Sequence, residues 1–157
     1  MTGEAASLSK LREAPGAEAR RSLPIALLRA REAVMAGFRP VLTRHGVTEQ
    51  QWRVLRILSE MPGAIDASNL ASRAFILPPS LTRILRVLDE RGLIELSRDR
   101  VDGRRILIGI RPAGLRLIAE VTPESREIYA ELEHRYGADR IAALLDMLDD
   151  LTAKLSR

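Results

Sequence analysis

The sequence predicts a mainly α-helical fold that carries one small β-hairpin. Three observations lead there. Between Ala67 and Pro112 the chain reads helix, proline-started helix, strand, Arg/Asp/Gly turn, strand, with arginines gathered on one face. The segments on either side of this block place apolar residues at helical spacing. At 157 residues the chain is long enough for one domain with a buried core. Two short helices followed by a hairpin is the layout of a winged helix-turn-helix, here expected over about 47–111, with long helices from both termini around it.

Residues 1–21 are small and charged, lack the apolar run of a signal peptide, and read as a loose arm. The remainder, 22–157, reads as a single domain. Its first helix spans about Leu23 to Arg44, with Pro24 suited to a first helical position and Gly46 just past the end. Leu27, Leu28, Val34, Met35, Phe38, Val41 and Leu42 make one apolar stripe, and Arg31 and His45 fall within it. Thr48-Glu49-Gln50-Gln51 is a capping-box pattern that opens a second helix. Val54, Leu55, Leu58 and Met61 form its inner face, with Trp52 at the edge, and Pro62-Gly63 stops it. Asp66 or Ser68 caps a short third helix, with Leu70 and Ala71 inward. A fourth begins near Pro78-Pro79 and ends at Gly92. Leu81, Ile84, Leu85 and Leu88 lie on its buried face, and Pro79, Thr82, Arg83 and Arg86 on the opposite one. Leu93–Leu96 and Arg105–Ile110 read as strands joined by a turn at 99–103. Two helices follow, roughly Pro112–Tyr136 and Ala138–Leu155, separated by Gly137. Leu115, Ile118, Ala119 and Val121 begin an apolar face on the first. Ile141, Leu144, Leu145, Leu148, Leu151 and Leu155 give the second a zipper-like stripe.

Composition removes several classes of function. There is no cysteine, so disulfides and thiolate metal sites are excluded. The two histidines, His45 and His134, are far apart in sequence, and no metal site or cofactor is expected. No apolar run approaches a membrane span, so the protein is expected in the cytoplasm, away from membranes. No nucleophile–base set or phosphate-binding glycine loop marks an enzyme. The net charge of +4 is uneven: residues 73–111 hold nine arginines against five acids, whereas 113–157 hold six basic and nine acidic groups. A basic middle beside an acidic tail points to an anionic partner.

Duplex DNA fits that partner. A helix enters the major groove, and side chains near its start reach base edges. Pro79, Ser80, Thr82, Arg83 and Arg86 stand at that start, and Arg73 lies on the preceding short helix. Arg98, Arg100, Arg104 and Arg105 crowd the hairpin, where guanidinium groups can straddle a phosphate backbone or enter a minor groove. Asp99 and Asp102 are expected to pair with neighbouring arginines and shape the turn. The alternative is a winged helix used for protein–protein assembly without sequence-specific DNA binding.

Leu81-Thr82-Arg83-Ile84-Leu85, Glu90-Arg91-Gly92-Leu93-Ile94, Asp102-Gly103-Arg104-Arg105 and the helix start containing Gly114 together resemble the multiple-antibiotic-resistance-regulator (MarR) family. The resemblance covers nearly all of Leu23 to Ser156. Ala26-Leu27-Leu28-Arg29-Ala30-Arg31-Glu32-Ala33, Phe38-Arg39-Pro40 and Thr48-Glu49-Gln50-Gln51-Trp52-Arg53 are most similar to regulators of homoprotocatechuate (3,4-dihydroxyphenylacetate) degradation within that family. Arg111-Pro112 departs from the pattern, since Thr or Ser often caps the helix after the wing. The resemblance implies a homodimer built from helices about 22–45 and 112–156, two lobes on a pseudo-palindromic operator, and repression of an aromatic-acid catabolic operon. It also implies release from DNA by a phenolic or carboxylic acid bound between the dimer helices and the DNA-reading lobe.

Four residues are candidates for that effector. Arg31 sits mid-stripe on the first helix, where a buried guanidinium requires an anion or several acceptors. A ligand carboxylate would meet it with two parallel hydrogen bonds. Phe38 and His45 follow on the same face at intervals of seven, and Trp52 can stack on an aromatic ring. Each has a plainer alternative. Arg31 can pair with Glu120, Glu124 or Glu127 of a partner subunit, His45 can serve the helix dipole, and Trp52 can be core.

Overall fold

The computed structural model describes residues 22–156; the expected arm over 1–21 lies outside the described residues. These form helices α1 (Leu23–Arg44), α2 (Glu49–Glu60), α3 (Ala67–Ala74), α4 (Pro78–Glu90), α5 (Pro112–Tyr136) and α6 (Ala138–Leu155), with strands β1 (Ile65–Asp66), β2 (Ile94–Arg98) and β3 (Ile106–Ile110). The chain divides into two units at Gly37–Phe38.

In the first unit, Leu23, Ile25, Leu27, Leu28 and Val34 are exposed. In the second, Phe38, Val41 and Leu42 are buried. The single apolar stripe read along α1 is therefore covered by the chain itself only over its C-terminal part. The second unit holds a core of Leu42, Leu55, Leu58, Leu70, Leu88 and Ile108, among others.

Local chemistry explains most boundaries. Thr48 caps α2 as expected: its hydroxyl accepts from the Gln51 N–H at 3.2 Å, and the Thr48 N–H donates to the Gln51 side chain at 3.0 Å. Met61 is the C-cap of α2 rather than part of its inner face. Asp66, not Ser68, caps α3. α4 opens with Pro78 at its first turn, where a missing N–H costs nothing. α5 follows Arg111 with no side-chain cap, and Pro112 supplies the start instead.

The hairpin is part of a larger sheet. β1 joins it in the order β1-β3-β2, all antiparallel, with Ile65 opposite Ile108, Leu96 opposite Ile108 and Arg98 opposite Ile106. A two-residue strand has no periodicity to read; it exists because a distant strand offers its edge. On α5 the buried face is Gly114, Leu117, Ile118 and Val121, while the expected Leu115 and Ala119 are exposed. Gly114 sets this rotation: a Cβ there would lie 2.4 Å from the Leu93 carbonyl oxygen and 2.8 Å from Ile110 Cγ1. α6 has no buried residue.

Candidate nucleic-acid interface and effector cleft

The inward face of α4 (Leu81, Ile84, Leu85, Leu88) is buried, which turns Pro79, Ser80, Thr82, Arg83 and Arg86 outward. Thr82 Oγ1 donates back to the Pro78 carbonyl at 3.1 Å. Arg86 Nε stands 3.9 Å from Glu90, a loose surface pair worth little. Arg83 meets no acceptor among the described residues, so its five donors remain available. On α3, Arg73 Nε donates to Asn69 Oδ1 at 3.0 Å and is exposed.

In the wing, the two aspartates do not pair with arginines as the sequence suggests. Asp99 accepts from the Val101 N–H at 2.8 Å and Asp102 from the Arg104 N–H at 3.1 Å, two side-chain turns that bend the backbone. Among the described residues Arg98, Arg100 and Arg104 meet no carboxylate, and all three are exposed. Arg105 differs. Its guanidinium donates to Asp66 Oδ2 at 2.8 Å, while Asp66 Oδ1 caps α3 by accepting from the Asn69 N–H at 3.0 Å. The Asn69 N–H first, and then the Arg105 charge, hold the Asp66 carboxyl below the usual carboxylate range. Arg105 is thus the wing's anchor to α3.

The effector candidates fare unequally. Arg31 is not the buried, unsatisfied guanidinium the stripe suggests: its side chain is 42% exposed and meets Glu32 at 2.9 Å. His45 Nε2 lies 2.7 Å from Glu124 Oε1, and Arg44 also binds Glu124. The His45 hydrogen bond first, then Arg44, lower the Glu124 carboxyl below its usual range. Glu124, offered above as a partner for Arg31 across a dimer, thus ties the end of α1 to α5 within the chain.

Phe38 and Trp52 do come together. They line a cleft of about 300 Å³ with Arg56, Thr122, Ser125, Arg126 and Tyr129. Phe38 meets Tyr129 edge-to-face at a centroid distance of 5.2 Å. The Ser125 hydroxyl is buried and has no hydrogen-bond partner among the described residues. Aromatic walls, an unsatisfied hydroxyl and two guanidinium groups suit a small aromatic anion. Sequence reasoning missed Arg56, Thr122, Ser125, Arg126 and Tyr129. Arg56 was within reach, because it follows Trp52 by one helical turn.

A short helix pair, an outward arginine face and a sheet ending in a basic turn define a winged helix-turn-helix DNA-binding regulator. Known proteins agree. The MarR family model matches residues 45–105. The homoprotocatechuate degradative operon repressor of Escherichia coli is 41% identical over 132 residues, covering 84% of this chain and 88% of the repressor. Two solved structures share the fold at higher coverage. NadR in complex with 4-hydroxyphenylacetate has a TM-score of 0.75 at 38% identity, covering 86% of this chain and 94% of NadR. The transcriptional repressor CouR bound to a 23-mer DNA duplex has a TM-score of 0.78 at 27% identity, covering 89% and 99%. The chain belongs to the MarR family and is a transcriptional regulator, not an enzyme. No helix among the described residues is long and apolar enough to cross a membrane.

Proposed function

We propose that this protein is a dimeric repressor of an aromatic-acid catabolic operon, released from its operator by a small aromatic acid. The cleft between α1, α2 and α5 carries this reading. Its aromatic walls accept a phenyl ring, Arg56 and Arg126 anchor the carboxylate, and Ser125 gains the partner it lacks. The ligand named with NadR and the operon named for the E. coli relative both belong to that chemistry. Arg31 is not among the residues lining this cleft and so ranks behind Arg56, although Arg56 also pairs with Glu60 at 2.7 Å, and behind Arg126; His45 acts through Glu124 rather than on the ligand.

On the DNA side, Pro79, Ser80, Thr82, Arg83 and Arg86 enter the major groove. Arg73, Arg98, Arg100 and Arg104 meet the backbone or a minor groove, and Arg105 holds the wing in place. Two copies pair through the α6 stripe from Ile141 to Leu155, of which Leu144, Leu145 and Leu155 are exposed, and so match a pseudo-palindrome.

The test is a titration of operator-bound protein with 3,4-dihydroxyphenylacetate and 4-hydroxyphenylacetate, read by DNA release and by fluorescence of Trp52, the sole tryptophan. Loss of a charge-assisted hydrogen bond costs about 1.5–3 kcal/mol, so Arg56→Gln raises the effector concentration for release roughly ten- to a hundredfold. DNA affinity without effector stays the same. Wild-type release by Arg56→Gln together with a large loss in Arg31→Gln would move the site to Arg31.

A further inference from the structure

The turn between α3 and α4 breaks two local rules at once. Phe75 adopts the left-handed conformation, φ 51° and ψ 48°, and is the sole non-glycine residue with positive φ among the described residues. Glycine or asparagine is the ordinary occupant there, because a larger L side chain crowds its own carbonyl. Leu77 is the N-cap of α4 and offers the helix no side-chain hydrogen bond. Ser, Thr, Asp or Asn at that position would satisfy an orphan N–H. Burial does not compensate either choice: Phe75 is 86% exposed and Leu77 76% exposed, whereas Ile76 between them is buried. Two large apolar side chains thus stand where small or polar ones would make the chain more stable. Positions that sacrifice local stability without packing point to a function outside the fold, such as a contact with a partner.

The surroundings say which contact. Phe75 and Leu77 share an open cleft of about 710 Å³ with Ser72, Pro78 and Thr82. Thr82 belongs to the outward face of α4, so the apolar pair is continuous with the DNA-reading surface. Leu77 is also the N-cap of α4, the helix proposed above to enter the groove. The apolar feature of a major groove is the C5 methyl of thymine.

We propose that Leu77, backed by Phe75, packs against thymine methyl groups at the edge of each half-site, so that this turn adds sequence preference by apolar contact beside the arginines. The inference rests on the DNA-reading role of α4 proposed above.

The probe is the duplex that the wild-type protein itself selects from a randomised pool, together with the same duplex made with deoxyuridine in place of thymidine. Leu77→Ser introduces a helix cap and Phe75→Asn suits the left-handed backbone. Both variants are expected to melt at the wild-type temperature or above it. Both bind the selected duplex more weakly, by about fourfold for each methyl group no longer taken from water. Wild type loses a similar factor on the deoxyuridine duplex, and Leu77→Ser loses nothing further there. Full affinity in both variants overturns the proposal, as does equal sensitivity of wild type and Leu77→Ser to methyl removal. Lower melting temperatures for both would assign the side chains to packing within the chain and overturn it as well. A changed oligomeric state with unchanged DNA affinity would make the patch a contact between copies, again against the proposal. Failure of the wild-type protein to select any duplex is a separate result, which sinks the DNA-reading role of α4 itself and this inference with it.

Discussion

α4 and α6 carry apolar stripes of similar regularity, and only that of α4 is fully buried. Leu81, Ile84, Leu85 and Leu88 of α4 are all buried, against α3, β2 and α2. Ile141, Leu144, Leu145, Leu148, Leu151 and Leu155 of α6 include no buried residue, and α6 packs chiefly along α5. Amphipathic period shows that a face is meant to be covered; it does not show by what. For α4 the cover is its own chain, and the polar face left outside is the one proposed above to read DNA. A contiguous apolar surface such as that on α6 marks an interaction site, because each Å² kept in water forgoes about 25 cal/mol.

Substitutions on the two helices separate these cases. Leu88→Ala opens a cavity in the core and lowers stability by about 2–5 kcal/mol, measured by urea unfolding at any protein concentration. Leu145→Asp takes a large apolar contact from the proposed dimer, about 1.5–3 kcal/mol, and shifts sedimentation toward monomer. Its melting temperature loses the concentration dependence of the wild type. A Leu145→Asp protein as unstable as Leu88→Ala at every concentration would make α6 part of the intrachain core and erase the contrast.

The polar face of α4 gives the next effect. Arg83→Ala lowers operator affinity by about 1–3 kcal/mol if it removes a bidentate base contact, with stability and oligomeric state unchanged. Replacing Arg100 or Arg104 instead flattens the salt slope by about one unit per lost phosphate contact, without changing sequence preference. The smallest effect is at Glu124. Its carboxyl is held below the ordinary value of 4.5 in the folded chain by His45 and Arg44. The stabilisation is full above that value and fades as pH falls through the lowered one. Melting temperature followed from pH 6 downward therefore drops more steeply in wild type than in Glu124→Gln. Parallel curves would show that the α1–α5 tie contributes nothing.

Helix starts and stops were legible in the sequence because their causes are local: the Thr48–Gln51 box, Pro78 and Pro112 at first turns, and Gly92 and Gly137 past the ends. The outward face of α4 was legible for the same reason. What failed depends on distant partners. Strand β1 is two residues long and exists through Ile65 opposite Ile108. The rotation of α5 follows from the fit of Gly114 against Leu93. The cleft joins Arg56 to Ser125, Arg126 and Tyr129 from a helix some seventy positions away, so charge spacing along α1 pointed instead to Arg31 and His45. The wing aspartates were read correctly as turn-makers, but the backbone N–H groups of Val101 and Arg104, not arginine side chains, are what they bind.

Asp66 has a mechanical consequence. One carboxylate caps α3 and holds Arg105 at the base of the wing, while its backbone is paired with Leu107 in the sheet. Wing and helices are therefore tied at the base of the wing by one residue, which opposes a hinge between the two edges proposed to meet DNA. On the DNA-reading role proposed above, the interval along the duplex between the bases met by α4 and the phosphates met by the wing is then set by the protein. On the same role, a mismatch with that interval would be absorbed by the deformability of the DNA, which would make the flexibility of base steps under the wing part of what this regulator recognises.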